Sequence, residues 1–287
     1  MKYTALLTII TATLATISAR AQLQTLVDRS TVINVGSNSY AVIENAATHN
    51  SAPLQITVHG MSFSYDVGES SLAGFTFTGP ATIQFANTPN PTFATINVAP
   101  LRKAIGTNIQ TLVVNPTNQI SATVTVPANS YAIINSGDTL SSATLSVTIQ
   151  GTLFTYALQD VSVKNLTFAG PATVQLQGDD YGPSFTTVEV MPLKKSSKIQ
   201  IQTLVVDPTN TVSATLNVGA NRYALIRTVE TEDGTLAASV NGTSLNFSDL
   251  QDESVAGFKF AGPATFQLQG NAFTPSFVTI ETGALKK

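Results

Sequence analysis

Covalent and metal chemistry need particular side chains, and this chain of 287 residues carries few of them. It has two histidines, His49 and His59, and no cysteine. A Ser/His/Asp nucleophile needs a histidine as its base. His49 falls in an expected loop and His59 at an expected hairpin turn, so solvated surface is the role the sequence assigns to both. Without cysteine there is no thiolate chemistry, no disulfide and no lipid anchor on an N-terminal cysteine. The sequence also lacks His-Glu-x-x-His, spaced cysteines and phosphate-cradling glycine loops. The reading is therefore no cofactor, no metal site and no catalytic residue.

Carboxylates are the remaining route to catalysis, because a glycosidase needs only two acids. Eight of the 17 acids lie beyond residue 195, with Glu230, Glu232 and Asp233 in one loop and Asp249, Asp252 and Glu253 in another. Neither group has the Asp-x-Asp-x-Asp-Gly spacing of a calcium loop, so both read as solvated loops. Aromatic residues two apart, Phe63 with Tyr65 and Phe154 with Tyr156, share one face of a strand. Such a pair could stack on a sugar, but a core role fits a chain without tryptophan better. Tyr181 and Phe273 occupy matching loops and are the candidate sugar contacts. Basic residues gather at three points: Arg102 and Lys103, then Lys194, Lys195 and Lys198, then Lys286 and Lys287. These either contact an anionic polysaccharide or lipid headgroup or, more simply, keep strand edges soluble.

The elements that position these residues recur. Asn-x-Tyr-Ala-x-Ile begins at Asn38, Asn129 and Asn221, and Gly-Pro-Ala-Thr begins at Gly79, Gly170 and Gly262. Phe93, Phe185 and Phe277 follow each Gly-Pro at a near-constant distance, and Leu101, Leu193 and Leu285 close the units. The chain is a tandem array of a unit of roughly 92 residues. The expected boundaries are 22–103, 104–195 and 196–287.

Within a unit, Ser121 to Val126 alternates apolar and hydroxyl residues at the period of a half-buried antiparallel strand. Hairpins are expected at His59-Gly60, Gln150-Gly151 and Asn241-Gly242. Asn38, Asn129 and Asn221 precede a strand, where asparagine tolerates a left-handed backbone or bonds locally. Phe75, Phe77, Gly79, Ala81, Ile83 and Phe85 are all odd-numbered, so inward parity runs through Gly79-Pro80. That predicts one long strand bent at Gly-Pro, at a sheet edge or corner. No segment beyond the N-terminus has helical period. The fold class is all-β, with three tandem antiparallel β-sandwich modules, immunoglobulin-like or jelly-roll-like, of about seven strands each.

The first copy departs from the others. Thr111 and Thr203 stand twenty residues before Tyr131 and Tyr223, whereas Thr25 stands fifteen before Tyr40. The missing residues match Asn115-Pro-Thr-Asn118 and Asp207-Pro-Thr-Asn210, which predicts a truncated or re-routed first strand. Such a copy reads either as an atypical terminal repeat or as a groove accepting a strand from another molecule.

Lys2, an apolar run from Ala5 to Ile17 and Ala19-Arg-Ala21 read as a signal peptide at 1–21, leaving a mature chain from Gln22 without a transmembrane segment. Removing Lys2 and Arg20 from 14 basic residues leaves 12 against 17 acidic ones, a balance that does not suit nucleic acid. Only 11% of residues are charged, so threonine, serine, asparagine and glutamine must supply the polar surface. The expectation is a secreted, extracellular or bacterial-envelope protein of structural or adhesive role, not an enzyme. Its expected partner is itself, as a filament or layer through strand or edge contacts, or a surface polysaccharide. A carbohydrate-binding module array is the alternative, and a glycoside hydrolase stands third.

Overall fold

The computed structural model describes residues 21–27, 31–48, 53–67, 72–86, 92–101, 107–117, 119–139, 142–158, 163–179, 181–193, 198–209, 211–230, 234–247, 255–271 and 273–285. The expected signal peptide, apart from Ala21, lies outside the described residues. So do His49, the acids Glu232, Asp233, Asp249, Asp252 and Glu253, and all the clustered basic residues except Lys198.

Among the described residues the regular elements are strands, and they repeat in sets of eight. The first copy contributes β1 (Gln22–Val27), β2 (Ile33–Val35), β3 (Ser39–Thr48), β4 (Pro53–Val58), β5 (Met61–Asp66), β6 (Thr76–Thr78), β7 (Ala81–Phe85) and β8 (Thr92–Pro100). The second contributes β9 (Asn108–Val114), β10 (Ser121–Val126), β11 (Ser130–Thr139), β12 (Thr144–Ile149), β13 (Thr152–Ala157), β14 (Thr167–Ala169), β15 (Ala172–Gln177) and β16 (Ser184–Pro192). The third contributes β17 (Gln200–Val206), β18 (Ser213–Val218), β19 (Arg222–Glu230), β20 (Thr235–Val240), β21 (Thr243–Phe247), β22 (Lys259–Ala261), β23 (Ala264–Gln269) and β24 (Ser276–Ala284). They form six four-stranded antiparallel sheets, two per copy, ordered β1-β8-β3-β6 and β2-β7-β4-β5 in the first and equivalently in the others.

Local sequence explains these elements. In β10, Ala122, Val124 and Val126 are buried while Ser121, Thr123 and Thr125 face solvent, as strict alternation demands. The hairpin tips at His59-Gly60, Gln150-Gly151 and Asn241-Gly242 have positive φ at both residues, the geometry of a two-residue turn matched to strand twist. Of the three repeated asparagines, Asn129 has the left-handed backbone. A shared role of all three is backbone bonding: the amides of Leu101, Leu193 and Leu285 donate to the carbonyls of Asn38, Asn129 and Asn221. That bond ties the end of each last strand to the turn before the third.

The Gly-Pro corner explains why each copy has eight strands and not seven. β6 and β7 keep the inward parity, with Phe77, Ala81, Ile83 and Phe85 buried, but they belong to different sheets. The chain crosses from one sheet to the other at Gly79-Pro80, whose peptide bond is cis, as it is at Gly170-Pro171 and Gly262-Pro263. A Cβ on Gly79, Gly170 or Gly262 would lie 2.2 Å from the carbonyl oxygen of Gly36, Pro127 or Gly219. Glycine is required there by backbone crowding.

The start of the chain corrects one expectation. β1 is not re-routed, although with six residues it is one shorter than β9: it pairs with β8 from Gln22↔Val98 to Val27↔Phe93, the register of β9 on β16. The residues missing from the first copy align with a turn that follows this strand in the other two. In the second and third copies that turn is closed by Asn115 or Asp207, whose side-chain oxygen accepts from the amide and hydroxyl of Thr117 or Thr209.

Residues from both sheets of a copy share one buried cluster, and the clusters cross copy boundaries. Phe185 belongs to the core of the first copy, and Val205 and Phe277 to that of the second. Gly170→Ala should cost about 1–3 kcal/mol, the range for forced overpacking. Gly219→Ala, where a Cβ meets nothing within 4 Å, should stay within about 0.5 kcal/mol. Urea unfolding of the two variants checks this, and equal midpoints would contradict the crowding account.

Candidate functional site: the seams between repeats

The short strands β6 and β14 lie at the edges of their sheets, and an edge strand must find acceptors for its outward amides. The next repeat supplies them as hydroxyls. Ser136 on β11 accepts from the Thr76 amide at 3.3 Å and donates to the Thr76 carbonyl at 2.6 Å. Thr111 on β9 accepts from the Thr78 amide at 2.8 Å, and its hydroxyl lies 2.9 Å from that of Thr187. The second seam repeats this pattern. Thr228 accepts from the Thr167 amide at 2.9 Å, Thr203 accepts from the Ala169 amide at 2.8 Å, and Thr279 stands 2.9 Å from Thr203. All six hydroxyl residues are buried.

A phenylalanine fills the space beside each hydroxyl column. Phe185 on β16 is 1% exposed and sits edge-on to Phe63 at 5.0 Å and Phe75 at 6.3 Å, both in the preceding repeat. Phe277 is fully buried and meets Phe154 edge-on at 4.9 Å. Burying one such side chain contributes about 1.5–3 kcal/mol, and each neutral hydrogen bond about 0.5–1.5 kcal/mol net. The ring therefore gives most of the seam's affinity per residue, while the hydroxyls fix its register.

A tyrosine in the preceding repeat approaches an acid in the following one at each seam. Burial, then the charge of Asp138, raises the Tyr65 hydroxyl far above its ordinary range; burial, then Glu230, does the same to Tyr156. After burial the charge of the acid is the next cause in both, and at Tyr65 a hydroxyl–carboxylate contact with Asp138, looser than a hydrogen bond of normal geometry, adds to it. Burial in turn raises Asp138, against lowering by Tyr65 and the Thr139 amide.

Clefts open along these boundaries. One of about 270 Å³ is lined by His59, Met61, Thr111, Asn115 and Gln119, and one of about 260 Å³ by Phe154, Tyr156, Glu230 and Thr274. His59, exposed at its hairpin tip, has no carboxylate beside it in that lining. No group of three or more His, Cys, Asp or Glu that could hold a metal occurs among the described residues. The one ion pair found among them joins Arg227 to the buried Glu281, which also accepts from the Tyr223 hydroxyl at 2.7 Å. That hydrogen bond, followed by burial, raises the Tyr223 hydroxyl. With its oxygens engaged in this way, Glu281 is a structural carboxylate.

The aromatic pairs divide by copy. Phe63, Tyr65, Phe154 and Tyr156 are buried, whereas Leu245 is exposed and Phe247 half-buried. Tyr181 and Phe273 are 89% and 84% exposed. Each follows a side-chain cap: the Tyr181 amide donates to Asp179 and the Phe273 amide to Asn271. Asn38, Asn129 and Asn221 are exposed at their turns. Lys198 contributes its carbonyl to Arg222. Sequence reasoning missed the seam hydroxyls, although Thr25, Thr111 and Thr203 recur at one position, as do Thr95, Thr187 and Thr279.

No family model matches the chain, and no curated protein matches it significantly. Among solved structures it is similar to a conserved protein of unknown function from Pseudomonas aeruginosa PAO1, at 15% identity over 62% of this chain and 81% of that one, with a TM-score of 0.23. It is also similar to A223, a turret protein in Sulfolobus turreted icosahedral virus, at 13% identity, 63% and 98% coverage and a TM-score of 0.21. The major capsid protein P2 from bacteriophage PM2 aligns at 10% identity, 63% and 99% coverage and a TM-score of 0.21. TM-scores of this size assign neither fold nor function.

Phe277→Ala should cost about 3–5 kcal/mol, and Thr203→Val about 1–3 kcal/mol by stranding the Ala169 amide and Thr279 hydroxyl. Phe93→Ala, at the same repeat position but 44% exposed, should cost no more than about 0.5 kcal/mol. Denaturant unfolding of the three variants measures this, and a Phe93 effect as large as that of Phe277 would refute the seam.

Proposed function

We propose that the chain is a secreted or cell-surface protein of structural or adhesive role, without catalysis. In this reading it is built from three tandem β-sandwich repeats at 22–103, 104–195 and 196–287, behind a signal peptide at 1–21. The strand order 1-8-3-6 over 2-7-4-5, the same in each copy, favours a jelly-roll sandwich over an immunoglobulin-like one. The observation that carries the reading is the seam, where buried hydroxyls and a phenylalanine knob bind each repeat to the next. Conserving stability in joints, with loops left to vary, suits a protein that displays surfaces. The sparse charge and hydroxyl-rich composition suit an extracellular setting or the bacterial envelope.

A second reading, a carbohydrate-binding array, is favoured by one observation: Tyr181 and Phe273 project from matching capped loops into solvent. Aromatic rings so placed are able to stack on sugars.

Cell fractionation, surface labelling and N-terminal sequencing test the leading reading together. The expected result is a surface-accessible or released chain beginning at Gln22; an intact chain confined to the cytoplasm would refute it. In the same preparation, glycan-array binding that Tyr181→Ala reduces at least about tenfold, a loss of about 1.4 kcal/mol, would favour the second reading.

A further inference from the structure

We propose that this chain joins a second copy of itself head to tail, the exposed face of β1, β3 and β8 in one copy seating on the β21–β22 end of the other. The inference deepens the structural reading above by naming the partner, and rests on it. Its basis is that the two ends carry the two halves of a joint that the chain already makes twice internally.

The leading face keeps its knob. Thr25, Val27, Phe93 and Thr95 have the residue types of Thr111, Val113, Phe185 and Thr187, in the same strand register. Phe185 and Thr187 are buried in the first seam, but Phe93 and Val27 are 44% and 47% exposed. A repeat that merely capped an array would present polar residues there. The trailing end keeps its socket. Leu245, Phe247 and Phe258 stand at the positions of Phe63, Tyr65 and Phe75, of which Phe63 and Phe75 receive Phe185 and Tyr65 packs on Phe75, and Phe258 is 46% exposed. The edge strand β22 places the amides of Lys259 and Ala261 where those of Thr76 and Thr78 bond to the next repeat.

The differences between end and internal joints are matched across the two faces. Where the seams oppose Tyr65 to Asp138 and Tyr156 to Glu230, the ends carry Phe247 and Ala47, so hydroxyl and acid are absent together. The hydroxyl of Ser136, which both accepts from and donates to Thr76, is replaced by Asn45, whose amide also does both. Lys259 replaces the neutral Thr76 and Thr167, and the residue next to Asn45 is Glu44, where the internal copies carry Asn135 and Arg227. A cation on one end thus has an anion on the other. Because the two faces differ, the contact is heterologous and propagates from one molecule to the next, as an open chain unless its rotation closes a ring.

Sedimentation velocity of the purified secreted chain over a concentration series tests this, with Phe93→Asp and Phe258→Asp as variants that each block one face. The wild type should associate progressively, and each variant alone should stay monomeric, its affinity weakened at least about 30-fold. An equimolar mixture of the two variants should form a 1:1 dimer and nothing longer, since one good face of each remains. Lys259→Glu, which sets like charges together, should weaken association while leaving the fold intact by circular dichroism. A wild-type chain monomeric at every concentration overturns the joint but leaves the surface reading standing. Association abolished by Phe93→Asp but untouched by both Phe258→Asp and Lys259→Glu also overturns it, indicating a symmetric contact of leading faces.

Discussion

The outward amides of a three-residue edge strand must be satisfied, and here the following repeat does it. β6 and β14 are too short to hold themselves, each pairing with one neighbour over three residues. Their other side is completed by Thr111 and Ser136, or by Thr203 and Thr228. The Gly-Pro corner serves this arrangement, because it puts β6 at the rim of one sheet while β7 runs through the middle of the other. Phe185 and Phe277 can then reach past the rim into the preceding core. The stability of each internal boundary depends on both halves being present, as in other repeat proteins.

This dependence makes the ends of the array unlike its interior without changing the fold. β14 is buried at all three residues, and its equivalent β22 at none. Phe93 holds the repeat position of Phe185, yet it is exposed where Phe185 is buried. The chemistry of the chain is correspondingly concentrated in its boundaries, where tyrosines, acids and hydroxyls are buried together. The described acids are engaged in local structure, as Asp207 shows: its exposed carboxylate is held low by the hydroxyl and then the amide of Thr209.

Strand alternation in Ser121 to Val126 and odd parity through Gly79 were legible because each reports a face buried within one repeat. Burial of Thr76 and Thr78 was not, since it is imposed by residues 33 to 60 positions away in the next copy. A buried threonine bridging two repeats has the same local pattern as a solvent-facing one. The parity that correctly placed Phe77 and Ala81 also concealed the change of sheet at Gly-Pro, because a corner preserves inward direction. The five residues absent from the first copy belong to a turn, and turn length says little about whether the strand before it pairs.

Amide hydrogen exchange at three equivalent positions is the most direct measurement of the central claim. In dilute, monomeric protein, the amides of Thr78 and Ala169, bonded across a seam, should be strongly protected, while that of Ala261 exchanges orders of magnitude faster. Equal protection at all three in the monomer would show that the edge strand is held by its own repeat, and would contradict the account.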